Sequence, residues 1–537
     1  MLFKINYFMK TSLFALSIIC CPLSIFAQAK IDVLHYHFNI GVSDDNDTLY
    51  GASIIKFVVK EKRPDILFDL TGPGKKGKGM LVTLTGFTGK GSDQNFKQEN
   101  DKLIIPCLLN AGDTGEIIIN YKGIPADGLI ISKNKYGHRT FFSDNWPNRA
   151  HNWIPCVDDP ADKASVEFSV SAPEHYNVIS NGIKTGEDKM PGNMKLTHYR
   201  EDVPLPTKVM VIGVADFAVD DAGMVNNVPV CSWVFPENKK EGFADYAPAK
   251  DILGFYMNYI GPYPYKKLAN VQSKTIFGGM ENAGAIFYFE NSVTGKKEDE
   301  SLLAHEIVHQ WFGDMATEKS FAHLWLSEGF ATYLTHVFLE KKYGTDSLEK
   351  RMRNEKEEII EFVSLNHRSV VDTTSDYMQL LNANSYQKGG WVLHMLRRQL
   401  GDSVFHKAIR TYYATYAGKN ADTKDLQRIF ESVSGKNLEQ FFSQWLYSPV
   451  NPKLDIKWKW LSHTKKLQVD IEQQQDAVLF NFPLEIELTV GNKKTVLPLM
   501  IGSRTQRFTW PAPKKPTRIK ADPNTSLLFE GTVSEVK

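Results

Sequence analysis

The sequence predicts a multidomain α+β protein, with a large N-terminal β-sheet domain, a mainly helical middle domain and a small C-terminal β-sandwich. Its 537 residues exceed the length over which a single hydrophobic core usually forms. Hydrophobic residues make up 42% and charged residues 23%, proportions that are typical of folded globular chains. The spacing of apolar residues changes twice along the chain, and these two changes separate the three domains.

The first domain is predicted from short alternating apolar runs, such as residues 52–59, divided by glycine, aspartate and asparagine. The middle domain shows a period of about 3.6, with Leu253, Tyr256 and Ile260 on one helix face. Alternation returns near the end of the chain, as in residues 484–488, which favours a β-sandwich. The expected domains are residues 28–235, 236–450 and 451–537.

Residues 1–27 are typical of a secretory signal peptide. Lys4 and Lys10 precede an apolar run over residues 13–19, and small residues follow around Ala27. The run is short for a bilayer span, so cleavage is expected, with retention as an anchor the alternative. After signal removal we expect no integral membrane segment. The sequence therefore predicts an exported protein, either periplasmic or secreted.

Charge and cysteine content argue against two other classes of protein. The formal net charge of +1 gives no electrostatic reason to bind nucleic acid. Signal removal leaves Cys107, Cys156 and Cys231, which are far apart and odd in number. They predict neither a disulfide framework nor a thiolate metal cluster. Buried free thiols are the simplest interpretation, and a single disulfide stays open.

A metal-binding pattern lies in the middle domain. His305 and His309 are four residues apart in a window with helical apolar spacing. Residues four apart lie on one face of a helix, so both imidazoles can reach one Zn²⁺ at about 2.0–2.1 Å. Glu306, between them, is then placed to act as general base on the attacking water. A solvated helix with two incidental histidines is the alternative.

A third protein ligand is expected, because a catalytic zinc keeps three and leaves its fourth position open. Glu328 follows His309 after eighteen intervening residues, at the start of another helical pattern. Alone, it would more often be a surface carboxylate. Together with the histidine pair, it predicts one zinc ion per chain, held by His305, His309 and Glu328.

With these residues the sequence resembles the zinc metallopeptidases of the aminopeptidase N and leukotriene hydrolase family, the gluzincins. The resemblance covers nearly the whole chain after the signal peptide. It implies a thermolysin-like fold for the middle domain and substrates that are peptides with a free N-terminus. Three further segments carry it: residues 153–160, Gly278-Gly279-Met280-Glu281-Asn282 and Tyr386-Gln387-Lys388-Gly389.

The resemblance also implies roles for the two later segments. Residues 278–282 look like the family's exopeptidase motif, in which glycines let a substrate backbone approach and Glu281 faces the α-ammonium. Tyr386 looks like the catalytic tyrosine, whose hydroxyl stabilises the oxyanion. In that mechanism Glu306 takes a proton from water and passes it to the departing amine. The expected substrate-binding residues are Gly278, Gly279, Met280, Glu281 and Asn282.

Two features depart from the family pattern. Ungapped counting from Cys156 puts Asp144 and Trp146 where many relatives carry a Gln-x-Glu pair that helps to bind substrate. Asp144 could replace one amine contact and Trp146 could form a pocket wall, or both could be structural. The sequence also ends after the predicted sandwich, without the family's large helical C-terminal domain. We therefore expect a more open cleft.

Three further functions stay open at this point. A zinc endopeptidase or an epoxide hydrolase would share the fold, and residues 278–282 argue against the first. Met378 stands where the epoxide hydrolase has a catalytic aspartate, which argues against the second. A catalytically inactive peptide-binding scaffold is the third, although it need not keep Glu306. Neither the preferred N-terminal side chain nor the oligomeric state follows from the sequence.

Overall fold

Three regions follow one another along the chain: a β-rich region, a mainly helical region and a pair of C-terminal sheets. Their buried apolar side chains form one continuous hydrophobic core that extends from Ile31 to Phe529. The succession of these regions confirms the predicted multidomain α+β architecture, and the three regions share one core. The predicted signal peptide lies outside the described residues. The computed structural model describes residues 31–74, 77–88, 95–476 and 478–536.

Strands make up nearly all regular structure of the N-terminal region, as the alternating pattern predicts. In β1, buried Tyr36, Phe38 and Ile40 alternate with half-buried His37 and Asn39. The described strands are β1 (Ile31–Gly41), β2 (Leu49–Val59), β3 (Arg63–Asp69), β4 (Gly79–Phe87), β5 (Lys97–Glu99), β6 (Lys102–Leu109), β7 (Thr114–Ile124), β8 (Leu129–Lys133), β9 (Arg139–Ser143), β10 (Ala164–Pro173), β11 (Asn177–Ser180), β12 (Ile183–Met190), β13 (Met194–Leu205) and β14 (Ile212–Ala215).

These strands form three sheets. A seven-stranded sheet has the order β12-β13-β10-β1-β2-β7-β4, and β1 runs parallel to β10 within it. A four-stranded sheet has the order β11-β14-β9-β8, and a three-stranded sheet has the order β3-β6-β5. The four-stranded sheet faces the helical region, since Gly213 of β14 and Phe142 of β9 contact the ring of Phe287.

The middle region alternates a few strands with longer helices. Within the described ranges, none of its helices is long and apolar enough to cross a bilayer. Its elements are β15 (Ala218–Val225), β16 (Val228–Val234), α1 (Lys239–Tyr246), α2 (Ala249–Tyr259), β17 (Leu268–Ser273), β18 (Gly279–Met280), β19 (Ala285–Phe289), α3 (Glu300–His309), β20 (Thr317–Glu318), α4 (Trp325–Tyr343), α5 (Thr345–Asn366), α6 (Gly389–Leu400), α7 (Asp402–Tyr416), β21 (Asn420–Ala421), α8 (Thr423–Ser434) and α9 (Glu439–Leu446).

One five-stranded sheet, with the order β15-β16-β17-β19-β18, supports the helices. Strands β16, β17 and β19 run parallel, and β18 is an antiparallel edge strand. The predicted boundary between residues 235 and 236 cuts through this sheet, because β16 pairs with β17 through contacts such as Val230 opposite Leu268. The helical region therefore begins with β15. Alternation alone could not reveal this, since the pairing partner lies more than thirty residues away in sequence.

The C-terminal region consists of two sheets, with the orders β26-β23-β22-β28 and β25-β24-β27. It docks on the helical region through α6 and α9, where Gln444 bonds both backbone groups of Asn481 and His394 bonds the carbonyl of Thr525. Its strands are β22 (Lys453–Leu461), β23 (Lys466–Gln473), β24 (Phe482–Val490), β25 (Lys493–Ile501), β26 (Thr505–Pro511), β27 (Arg518–Ala521) and β28 (Glu530–Glu535).

Candidate active site

Helix α3 carries two of the predicted metal ligands. Leu303, Ile307 and Val308 are buried in the core, which fixes how the helix is turned. The four-residue spacing then directs His305 and His309 into one cavity, with their ring centroids 4.7 Å apart. The sequence-predicted helix is thus present and brings the two imidazoles together.

Helix α4 brings in the third predicted ligand. Glu328 lies in its first turn, where the positive end of the helix dipole favours a carboxylate. The next residue, Gly329, touches the start of α6 backbone to backbone. A side chain there would place its Cβ 2.8 Å from the carbonyl carbon of Gly389. These glycines let α4 and α6 approach closely, which holds Glu328 against α3.

The three donor atoms form a compact triangle, called here the metal triangle. His305 Nε2 lies 3.1 Å from His309 Nε2, and each of these nitrogens lies 3.3 Å from Glu328 Oε2. Two ligand atoms bound to one tetrahedral zinc at 2.0–2.1 Å are about 3.3 Å apart. The triangle therefore has the dimensions that a zinc ion requires, with ligand types that zinc prefers.

The electrostatics of the triangle also favour a cation. Burial lowers the pKa of His309, but the carboxylates of Glu328 and Glu281 outweigh that effect and raise it to about 10. Burial opposes ionisation of Glu328, yet the adjacent histidines hold its pKa well below the usual value. Positive charge is thus stabilised at this point in the protein.

A second layer of contacts orients His309. Its Nδ1 lies 3.1 Å from both the carbonyl oxygen of Phe312 and Ser327 Oγ. A proton on Nδ1 can be donated to these oxygens, which leaves the Nε2 lone pair free for a metal. The chain reaches this geometry through Gly313, whose φ is +116° and where a Cβ would lie 2.3 Å from Ser327 Oγ.

Glu306 lies between the two histidines and faces the same cavity. Burial raises its pKa well above the usual value, and the charges of Glu281 and Glu328 add to the effect while His309 opposes it. A divalent cation at the triangle would supply opposing charge and favour the carboxylate form. Gly279 gives Glu306 its space, because a Cβ at Gly279 would lie 2.3 Å from Glu306 Oε1.

The residues of the predicted exopeptidase motif lie along and beside the edge strand β18. Gly279 and Met280 pair with β19, and a Cβ at Gly278 would have Leu302 Cδ1 as its nearest neighbour, at 4.0 Å. Glu281 is held through its carbonyl oxygen, which accepts a hydrogen bond of 2.6 Å from Gln310 Nε2. The cavity is lined by Gly278, Gly279, Met280 and Glu281, while Asn282 is buried outside its lining.

Glu281 carries a buried carboxylate oxygen, Oε1, that has no hydrogen-bond partner among the described residues. Burial raises the pKa of this carboxyl, although His309 and Lys208 oppose the shift. An unpaired buried acceptor is costly unless a ligand satisfies it. Glu281 is therefore suited to receive a cationic group that enters the cavity.

Tyr386 reaches the cavity from a single π-helical turn, Asn384–Lys388, which directly precedes α6. Such turns concentrate at functional sites because they redirect a side chain. The ring of Tyr386 stacks on that of His305, with centroids 6.0 Å apart. Burial and the charge of Glu328 raise the pKa of Tyr386 well above its ordinary value, so the phenol stays protonated and can donate.

The two residues that depart from the family pattern have different positions. Trp146 lines the cavity and packs edge-on against Phe277, with ring centroids 5.8 Å apart. Asp144 lies outside the lining, and its Oδ2 accepts hydrogen bonds from Ile276 N at 2.9 Å and Thr275 Oγ1 at 3.2 Å. Trp146 is thus a pocket wall, whereas Asp144 anchors the loop that leads into the exopeptidase motif.

The cavity has a volume of about 450 Å³. Sequence reasoning missed part of its wall. Thr332, Thr335 and His336 follow Glu328 at helical spacing, so the position of Glu328 on α4 could have indicated them. Nothing in the charged sequence of α5 indicated Arg351. The missed lining residues include Phe277, Ser301, Leu302, Thr332, Thr335, His336, Arg351 and Leu381.

A metal triangle beside a general-base glutamate, on a helical region that follows a β-rich one, defines the class of metallohydrolases. Family comparison is consistent with that class. Residues 33–209 match the peptidase M1 N-terminal domain, and residues 245–445 match the peptidase family M1 domain. The chain belongs to peptidase family M1.

Curated relatives of this chain are named aminopeptidases. Aminopeptidase M1-C of Oryza sativa subsp. japonica is 31% identical over 377 residues, which cover 66% of this chain and 40% of that protein. Aminopeptidase M1 of Arabidopsis thaliana is 30% identical, with 64% and 42% covered. Probable aminopeptidase 2 of Sulfurisphaera tokodaii is 28% identical, with 71% and 51% covered. The alignments therefore span about half or less of these relatives.

Proposed function

We propose that this chain is a zinc-dependent aminopeptidase that hydrolyses the N-terminal peptide bond of peptides. One observation carries the proposal: the metal triangle, Glu306 and the unpartnered carboxylate oxygen of Glu281 share a single cavity. Membership of peptidase family M1 and the names of the relatives support it. In this proposal the middle region is thermolysin-like and the two C-terminal sheets pack as a sandwich.

The chemistry follows from the groups that face the cavity. His305, His309 and Glu328 would hold the zinc, which would supply Lewis acidity to the peptide carbonyl and to the attacking water. Glu306 takes a proton from the attacking water and delivers it to the departing amine nitrogen. Tyr386 donates its hydroxyl hydrogen to the carbonyl oxygen as negative charge develops there. One water is consumed, one C–N bond breaks, and a free amino acid and a shortened peptide leave.

Glu281 confers the preference for a free N-terminus. A substrate α-ammonium supplies both a hydrogen bond and a positive charge to the buried Oε1, whereas an internal amide N–H carries no charge. The unpaired side of β18 can receive an extended backbone as an added strand. Trp146 and Phe277 then form an apolar wall near the first residue of the peptide.

Comparing a free-amine peptide with its N-acetylated form tests the proposal. We expect the free amine to be hydrolysed about 100-fold faster in kcat/KM, because acetylation leaves Glu281 buried and unpaired. Glu281→Gln should reduce this ratio by lowering the rate on the free amine. Equal rates on the two peptides would instead identify an endopeptidase.

An epoxide hydrolase and an inactive scaffold are distinguished by different observations. Among the described residues that line the cavity, the only carboxylates are those of Glu281, Glu306 and Glu328, and Met378 is exposed outside it. This arrangement offers no aspartate for an epoxide hydrolase. A panel of aminoacyl fluorogenic amides, assayed with and without a chelator, separates an enzyme from a scaffold. A protein that is inert to the whole panel with zinc present would be a scaffold.

We also propose that the chain is exported. The support is the pattern of residues 1–27, where basic residues precede a short apolar run and small residues. N-terminal sequencing of the protein from periplasmic and culture fractions is the test. A mature chain that starts near residue 28 supports export, and a chain with Met1 confined to the cytoplasmic fraction contradicts it.

A further inference from the structure

One guanidinium faces the active-site cavity without a protein partner. Arg351 is half-buried on α5 and lines the cavity. Among the described residues, none forms a hydrogen bond or an ion pair with its side chain. Arg353, two residues further along, is instead paired with Glu349 at 2.9 Å. Arg351 is also the only arginine or lysine in the described lining of the cavity.

Glu281 marks one end of the cavity. Its carbonyl oxygen is bonded by Gln310, the residue that follows His309, so Glu281 lies at the C-terminal end of α3. An ammonium group bound at Glu281 would therefore sit beside His309. The remainder of a peptide would extend along the cavity past the metal triangle.

Arg351 belongs to the opposite end. His336 follows Glu328 on α4 by eight residues, which is about 12 Å along the helix axis. His336 Nε2 donates a hydrogen bond of 2.5 Å to Glu355 Oε1 on α5. Glu355 lies one helical turn from Arg351, which places the guanidinium at the His336 end. Among the described residues, Glu355 forms its ion pair with His336 and none with Arg351.

The length of α4 between Glu328 and His336 is comparable to that of a short peptide. An extended residue spans about 3.3–3.6 Å, so these 12 Å, from the metal triangle to His336, correspond to roughly three residues. A guanidinium presents a planar fork of donors that matches a carboxylate, and such charge-assisted pairs are stronger than neutral hydrogen bonds. A peptide with its ammonium at Glu281 would bring a carboxylate on its second or third residue towards Arg351.

We propose that Arg351 binds a carboxylate on the leaving-group side of the substrate. This carboxylate is either the C-terminus of a dipeptide or tripeptide, or an Asp or Glu side chain at the second or third position. The inference rests on the proposed aminopeptidase function and deepens it by naming a substrate class. Short peptides and acidic peptides are then preferred over long neutral ones.

The test compares matched substrates on the zinc-loaded full chain. One series pairs dipeptides and tripeptides that end in a free acid with the same peptides ending in an amide. A second series pairs amidated peptides that carry Glu or Gln at the second or third position. For the wild type we expect kcat/KM to be about 10-fold higher on the carboxylate member of at least one series. The series that responds identifies the source of the carboxylate.

Variants of Arg351 test whether this residue causes the preference for carboxylate substrates. Arg351→Met should bring the acid-to-amide ratio towards one, and Arg351→Lys should keep part of it. Lys350→Met is the charge-matched control, because Lys350 is exposed on the same helix outside the cavity lining and should keep the full ratio. Binding of the same peptides to Glu306→Gln protein by calorimetry gives a second readout that does not need turnover.

The outcomes separate the two proposals. An unchanged ratio in Arg351→Met, or a wild-type ratio near one in both series, overturns the role of Arg351. Hydrolysis of an aminoacyl fluorogenic amide, which has no carboxylate, reports the aminopeptidase function by itself. If that amide is cleaved while both ratios are near one, only the inference on Arg351 fails. If no substrate is cleaved, the proposed function fails.

Discussion

Two groups of buried charges lie close to Glu281. One is the metal triangle. The other, called here the docking cluster, consists of Lys163, Lys208 and Glu318. In the docking cluster each lysine ammonium group contacts oxygen atoms of the protein. Lys208 Nζ lies 2.5 Å from Glu318 Oε1, with both side chains at most 1% exposed. Lys163 Nζ donates to three backbone carbonyls of the helical region at 2.8–3.2 Å. Since both lysines come from the N-terminal region, the cluster joins the two regions.

In the metal triangle the donors face one another instead. Three atoms that each offer an electron pair lie within 3.1–3.3 Å, and the nearby Oε1 of Glu281 has no partner among the described residues. Burial of such groups costs free energy unless a cation and a ligand satisfy them. Both groups are buried and charged, but their atoms are arranged differently. In the metal triangle three electron-pair donors converge on one point, whereas in the docking cluster a lysine ammonium faces a carboxylate. This arrangement of atoms, rather than burial or charge alone, distinguishes the functional site from the structural one.

The largest expected effect is on turnover at the metal site. Glu306→Gln keeps the size of the side chain but removes the proton acceptor, so kcat/KM should fall about 1,000-fold. Zinc content should stay at the wild-type value, because Glu306 is outside the triangle. Steady-state kinetics together with metal analysis check this expectation. Substantial activity in Glu306→Gln would remove Glu306 from the mechanism.

In the docking cluster the expected effect is on stability. Lys208→Met leaves Glu318 buried without its partner, and should cost about 3 kcal/mol of unfolding free energy. The double variant Lys208→Met/Glu318→Leu should regain much of that loss, since no buried charge then remains unpaired. Denaturant unfolding measures both. If Lys208→Met lost its zinc at temperatures where it is folded, the docking cluster and the metal triangle would not have separate roles.

Gly279, which leaves room for the Glu306 side chain, provides a test with a smaller expected effect. Gly279→Ala would push the Glu306 carboxylate aside, because the new Cβ would lie 2.3 Å from Oε1. We expect kcat/KM to fall roughly 30-fold with little change in thermal stability, since the carboxylate can move. Gly278→Ala is the matched control, with its nearest neighbour at 4.0 Å. Equal losses in the two variants would point to substrate clearance rather than to Glu306.

His394 extends the comparison to a third buried group, which is satisfied internally like the docking cluster. It bonds Tyr333 and the carbonyl of Thr525, and burial lowers its pKa to about 3. Below pH 6.5 His394 is protonated in the unfolded state, whereas in the folded state it stays neutral until about pH 3. Stability is therefore lost as the pH falls through this window, by about 1 kcal/mol between pH 7 and pH 5.5.

The His394→Gln variant isolates this contribution. Glutamine can keep both hydrogen bonds but does not titrate, so the stability of the variant should depend less on pH than that of the wild type. Unfolding midpoints at pH 7 and pH 5.5 give the difference for each protein. Identical pH dependence in the two would show that His394 does not carry this linkage.

Local spacing made the geometry of the metal triangle predictable. His305 and His309 share a helix face, and Glu328 begins the helix that follows, so helical period and ligand chemistry sufficed. Contacts between distant segments could not be predicted in this way. The room that Gly279 leaves for Glu306 arises only when β18 packs on α3, and the joining of β16 to β17 depends on parallel pairing across a helical stretch.

The two residues that departed from the family pattern show the same limit. Asp144 and Trp146 are two positions apart, and the sequence offered each a binding or a structural role. The fold turns Trp146 into the cavity and Asp144 onto the backbone of Ile276. Arg351 gave no signal at all, because a charged residue on a polar helix is typical of a solvated face.

Zinc stoichiometry tests the central claim most directly. The purified chain should contain one zinc per molecule after dialysis against the metal, and His309→Ala or Glu328→Gln should lose it. Lys208→Met, which alters the docking cluster, should retain it. A wild-type protein that binds no zinc when zinc is supplied would contradict the account.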